Sequence, residues 1–184
     1  YRILYIEPAL IFEAVQVLCG CSYSLPFVRT PVITNQKLSA LIMSAVQSIG
    51  EPLAIDSLIM QLAECLLEAD PCCKPVSTLR YLDITAIERA RQFLDAEKTR
   101  VVNLAELEAV TGLTRYELAR QFRLICGTSP YRYLLMRRLD MVRNQLDRHR
   151  SLVDLALETG FADQAHLTGM FKAAYGLTPA RYGA

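Results

Sequence analysis

The sequence predicts an all-α protein: two helix-turn-helix subdomains joined by a long linking helix, preceded by a helical segment that opens on one short strand. Three observations carry this prediction. The first is a repeat, in which Leu104, Leu107, Thr111 and Gly112 recur 48 residues later as Leu152, Leu155, Thr159 and Gly160. Past the glycine the offset becomes 49, and Phe122, Gly127, Pro130 and Tyr133 return as Phe171, Gly176, Pro179 and Tyr182, so the second copy carries one extra residue in its turn. Each copy reads as two short helices joined at a glycine, a layout whose second helix lies in a DNA major groove. The second observation is that apolar residues elsewhere return at intervals of three and four, the helical period. The third is size: 184 residues with 52% hydrophobic content suffice for packed cores and argue against disorder.

The elements follow in order. Tyr1 to Ile6 alternates aromatic and aliphatic residues with a charge and reads as a strand closed by Pro8. A lone strand cannot bury both faces, which suggests that a sheet lay upstream. Glu7 to Leu18 places Leu10, Ile11, Ala14, Val15 and Leu18 at helical spacing, and Gly20 to Thr30 is turn-rich. Asn35 caps a helix whose stripe is Leu38, Leu41, Ile42, Ala45, Val46 and Ile49, stopped at Gly50 and Pro52. A further helix over Ala54 to Ala69 turns Ile55, Leu58, Ile59, Leu62, Leu66 and Ala69 inward. Asp70 to Thr78 has two prolines and no periodicity, so the chain divides into a regulatory or dimerisation segment 1–69, a linker 70–80 and a tandem module 81–184.

The module opens near Asp83 with a helix whose inner face is Ile84, Ile87, Ala90, Phe93 and Leu94. Asn103 caps Leu104 to Val110, and Gly112 supplies the left-handed backbone of the turn. Thr114 caps Arg115 to Cys126, with Leu118, Phe122 and Ile125 inward. Ser129 and Pro130 then open the linking helix, which runs to about Arg148 and offers Tyr133, Leu134, Leu139, Val142 and Leu146 for packing. The second copy is Leu152 to Thr159, the turn at Gly160, a helix from about Asp163 to Tyr175 with Leu167 and Phe171 inward, and a last turn from Pro179.

Charge is distributed unevenly. Residues 1–80 hold 5 Lys/Arg against 7 Asp/Glu and residues 81–184 hold 15 against 12, so basic charge travels with the repeat although the whole chain carries only +1. Cys19, Cys21, Cys65, Cys72, Cys73 and Cys126 form no C-x-x-C pair, and His149 and His166 lie far from them in sequence, so no metal or other cofactor is expected. No apolar run reaches the roughly 20 residues of a spanning helix, so a cytoplasmic protein without membrane contact is expected.

On the helix after Gly112 the positions not needed for a core are Thr114, Arg115, Tyr116, Ala119, Arg120 and Arg123. Arginine bonds guanine O6 and N7 in bidentate fashion, aromatic and small side chains touch thymine methyls, and a capping threonine meets a phosphate. The equivalents in the second copy are Asp163, Gln164, Ala165, Thr168, Gly169 and Lys172. Gln164 suits adenine and Lys172 a phosphate, but no arginine is present, so this helix is expected to discriminate bases less than the first. His166 is expected either at a phosphate or stacked beside Leu167 and Phe171.

The run G-L-T-R-Y-E-L-A-R-Q-F-R-x3-G-T-S-P-Y-R-Y-L, continued by R-R-L and then by G-F-A-D-Q-A-H-L-x3-F-K-x3-G-L-T-P-A-R-Y, resembles the tandem helix-turn-helix domain of AraC/XylS-type bacterial transcriptional regulators over Ile84 to Tyr182. The resemblance implies seven helices, with Arg115, Tyr116, Ala119 and Arg120 as reading positions of the first recognition helix and Gln164, Ala165, Thr168 and Gly169 as those of the second. The sequence departs from the family pattern at Gly169 and at Gly183, where arginine is usual. More loosely, residues 1–80 resemble the end of the family's regulatory half, a last cupin-barrel strand followed by dimerisation helices, with Leu25 to Val28 and Pro31 to Ile33 in keeping.

The implied function is sequence-specific, double-stranded DNA binding in transcriptional regulation, without enzymatic activity. The implied partners are a DNA operator, RNA polymerase if the protein activates, a second copy through helices 35–49 and 54–69, and a small-molecule effector bound upstream. Two competing readings stand beside it. One is a helical interaction module that no longer reads DNA. The other is a DNA-repair alkyl-transfer protein, whose reactive cysteine would need zinc or basic neighbours that no clustered motif supplies.

Overall fold

The computed structural model describes residues 5–19, 26, 34–47, 51–70, 82–146 and 151–183, and every regular element among them is a helix. The order is α1 (Pro8–Cys19), α2 (Gln36–Gln47), α3 (Pro52–Ala69), α4 (Ile84–Ala96), α5 (Leu104–Thr111), α6 (Arg115–Cys126), α7 (Pro130–Gln145), α8 (Leu152–Glu158), α9 (Gln164–Tyr175) and α10 (Pro179–Tyr182). The seven helices α4 to α10 agree with the layout implied for residues 84–182.

The amino-terminal expectations need revision. Of the predicted strand, Tyr5 and Ile6 precede α1 without entering a strand, and residues 1–4 lie outside the described residues. The turn-rich segment from Gly20, the Leu25 to Val28 and Pro31 to Ile33 segments apart from Pro26, and the linker beyond Asp70 also lie outside them. Helix α3 starts earlier than expected because Pro52 opens its first turn, where a missing N–H costs nothing. Its buried side is also rotated: Leu53, Ala54, Ser57, Ile59, Met60, Ala63, Cys65 and Leu67 are buried, whereas Ile55 and Ala69 are exposed. Helix α3 touches α1, α2, α6 and α7, and a helix contacted on several sides buries small residues where neighbours come close, not one apolar stripe. In the next helix, Ile84 is 66% exposed and the inner face begins at Ala86 and Ile87.

Three cores result. Ile87, Ala90, Leu94, Leu107, Leu118, Phe122 and Leu134 form the core of the first subdomain. Leu139, Val142, Leu155, Ala156, Phe161, Leu167 and Phe171 form that of the second. Helix α7 places Leu134 in one and Leu139 and Val142 in the other, so a single element positions both α6 and α9. The third core joins Ile11, Ala14, Val15 and Cys19 of α1, Ile59, Met60, Ala63 and Leu67 of α3, and Tyr116 and Ala119 of α6.

Charged residues are also buried in this frame, Arg138 most completely. Arg138 of α7 is 1% exposed; its guanidinium donates to the Glu51 carboxylate at 2.9 Å and to the carbonyls of Lys98 and Arg100 at 2.8 Å each. These bonds tie the linking helix to the α4–α5 loop and to the residue that precedes α3. Removing one partner of such a buried pair costs about 3 to 5 kcal/mol, because the other charge is left unpaired.

Candidate nucleic-acid interface

Both copies of the repeat build their turn with the same devices. Thr111 and Thr159, the last residues before the glycines, are buried and donate their hydroxyls to the carbonyls of Leu107 and Leu155, at 2.7 and 2.6 Å. Gly112 and Gly160 then take φ of +73° and +82°, a region that costs other residues roughly 1 to 2 kcal/mol. Thr114 precedes α6, and both its backbone N–H and its hydroxyl donate to the Glu117 carboxylate. Asp163 precedes α9 and accepts from the His166 N–H at 2.7 Å. The caps stand two and three residues after their glycines, which locates the extra residue of the second copy in its turn.

The face of α9 lies open. Asp163, Gln164, Ala165, Gly169 and Lys172 are exposed and Thr168 is half-buried. His166 is half-buried, and its ring meets Phe161 edge-on at 5.5 Å; the expected stacking is real but its partner is the turn residue, and Nε2 is buried without a hydrogen bond. A Cβ at Gly169 would touch nothing within 4 Å.

The face of α6 differs, and the expected exposure of two of its residues is corrected here. Tyr116 is 2% exposed and Ala119 is 8% exposed, both in the core shared with α1 and α3. Arg115 is half-buried, with Nη1 3.9 Å from the Asp56 carboxylate and its backbone N–H bonded to Glu108 at 2.7 Å. Arg123 is exposed but pairs with Glu64 at 2.9 Å. Thr114 is exposed and Arg120 half-buried. The Tyr116 hydroxyl is buried beside the Arg115 guanidinium without a well-formed hydrogen bond. Burial pushes the Asp56 carboxyl up to about 6; Arg115 opposes this and Glu108 adds to it.

A signal for this packing was present in the sequence. Asp56 and Glu64 are eight residues apart on α3, as are Arg115 and Arg123 on α6, so two helices running in the same sense make both pairs at once over about 12 Å of axis. Nothing in the sequence alone says that these helices are neighbours.

The fold and the paired turns define the class of this protein as a tandem helix-turn-helix protein. Residues 107–184 match a helix-turn-helix domain family. The uncharacterized HTH-type transcriptional regulator YbfI of Bacillus subtilis (strain 168) is 27% identical over 180 residues, covering 91% of this chain and 61% of its own length, so the chain spans about three-fifths of that relative. Among solved structures, a probable AraC family transcriptional regulator from Rhodopseudomonas palustris CGA009 is 22% identical with a TM-score of 0.50, covering 54% of this chain and 94% of that one. The DNA-binding domain of AdpA, a global transcriptional factor solved in complex with a target DNA, is 22% identical with a TM-score of 0.50, covering 53% and 89%. At such identities the two structures establish the shared fold. Through residues 107–184 the chain is similar to helix-turn-helix transcriptional regulators, and with the two solved structures it shares the fold.

Proposed function

We propose that this chain regulates transcription by binding a specific double-stranded DNA site, with α6 and α9 entering successive major-groove segments about one helical turn, or ~34 Å, apart. The observation that supports it is the construction of α7, which enters both subdomain cores and so fixes two recognition helices on one rigid element. In this reading Arg115, Tyr116, Ala119 and Arg120 of α6 face base edges once α1 and α3 no longer cover that face, and Gln164, Ala165, Thr168 and Gly169 of α9 form the weaker reader. Thr114, Arg123, Asp163 and Lys172 border the backbone. Residues 81–184 act as the DNA-binding unit, without enzymatic chemistry, in the cytoplasm. The segment before the linker regulates it, with an effector bound upstream and RNA polymerase as partner where the outcome is activation. A second copy is met by α2, whose Met43 is 48% exposed, in preference to α3, which is engaged within the chain.

The test is selection of bound duplexes from a random library, followed by titration of the winner. Arg120→Ala should cost roughly 1 to 3 kcal/mol and relax one base position, while Lys172→Ala should weaken specific and random duplexes alike and lower the salt slope by about one. Failure to enrich any sequence, or equal loss on both duplexes for Arg120→Ala, counts against the reading.

A further inference from the structure

We propose that α1 and α3 form an intramolecular cover that sequesters the first recognition helix, so that this chain switches between a closed form, in which α6 is withheld from DNA, and an open form that binds. The inference rests on the groove-reading role given to α6 above and adds a control to it.

The geometry excludes simultaneous occupancy. Packed helices lie 8 to 10 Å apart, and a B-form major groove is about 12 Å wide and 8.5 Å deep. With Tyr116 and Ala119 pressed into the core of α1 and α3, no base edge reaches them until those helices leave. Among the described residues, none covers the face of helix α9 in this way.

The chemistry of the contact also imitates DNA. Asp56 and Glu64 place carboxylates against Arg115 and Arg123, where phosphates or base acceptors would otherwise stand. Apolar packing of Ile59, Met60 and Ala63 in the same core supplies the remaining attraction.

The closed form is built to open. The Tyr116 hydroxyl is desolvated without a well-formed bond, a deficit that water or a base acceptor would repair. The Asp56–Arg115 pair is loose at 3.9 Å, and its carboxylate gains less from the arginine than it loses by burial. Both ion pairs are partly exposed, which keeps the latch weak enough to release. Apparent DNA affinity is the intrinsic affinity multiplied by the open fraction, so anything that loosens α3 from α6 tightens binding.

The test uses the whole chain and two substitutions with the same change of charge on α3. Glu64→Lys sets a like charge against Arg123. Glu68→Lys, one turn further on, disturbs only the exposed pair with Lys37, 3.8 Å apart. On the duplex selected from the random library, Glu64→Lys should bind roughly 1.4- to 5-fold more tightly than Glu68→Lys, the range of a surface ion pair. Without DNA, hydroxyl-radical labelling of Tyr116, 2% exposed in the closed form, should rise several-fold in Glu64→Lys and stay at the wild-type level in Glu68→Lys. Equal affinity of the two variants with Tyr116 equally shielded overturns the cover and leaves the DNA reading standing. If neither the wild type nor Glu64→Lys enriches a duplex, the DNA reading falls and takes the cover with it.

Discussion

Gly112 and Gly160 occupy the same place in the two copies, yet their surroundings assign them different tolerances. At Gly112 a Cβ would meet nothing within 4 Å, so Gly112→Ala incurs only the left-handed backbone cost, roughly 1 to 2 kcal/mol. At Gly160 a Cβ would lie 2.9 Å from the backbone of Lys98 and Thr99, which cannot turn aside as a side chain could. Gly160→Ala should therefore destabilise the chain by several kcal/mol, clearly more than Gly112→Ala, in urea unfolding monitored by circular dichroism. Equal losses would mean that the α4–α5 loop yields. The need for glycine was legible at both positions, because the repeat demands a turn; the backbone behind one of them was not. Arg138 shows the same limit, since a basic residue in a helix of mixed charge gives no sign that it will be 1% exposed.

Among the elements, α9 presents its outer face to solvent with a glycine in its middle. Such a glycine costs a helix roughly 1 kcal/mol against alanine, and the space beyond Gly169 is empty. Gly169→Arg should raise the unfolding midpoint slightly, tighten binding to the selected duplex and steepen the salt dependence by about one released counterion. An unchanged salt slope would place α9 away from the phosphates. Helices α5 to α10 were readable because caps, turn glycines and period agree at every level, as they do in sequences with little local conflict. Helix α3 was readable as a helix but not in its facing, since apolar spacing assigns one buried stripe and α3 is contacted by four neighbours.

For the molecule as a whole, the packing of α3 on α6 leaves a signature in its response to acid. Asp56 is raised from 3.8 to about 6, by burial first and by Glu108 beside it, with Arg115 opposing. A carboxyl raised on folding stabilises the packed form most fully below its unfolded value, and this contribution is lost as pH rises through the folded value. The wild type should therefore lose stability relative to Asp56→Asn as pH rises from about 4 to 6, in paired urea titrations. Parallel profiles would show that Asp56 is not desolvated in solution. The same linkage makes acid favour the closed form, and the open fraction should grow toward neutral pH.

The sequence by itself determined the repeat, the glycine turns with the extra residue in the second, and the seven helices of the tandem module. These are short-range properties, fixed by hydrogen bonds and side-chain spacing within a few turns. Which side of α6 faces solvent was decided only by tertiary structure. Tyr116, Ala119, Arg115 and Arg123 suit a base edge, an apolar helix or a carboxylate equally well, and the choice among these depends on α1 and α3, about 50 to 110 residues away in sequence, arriving at that face.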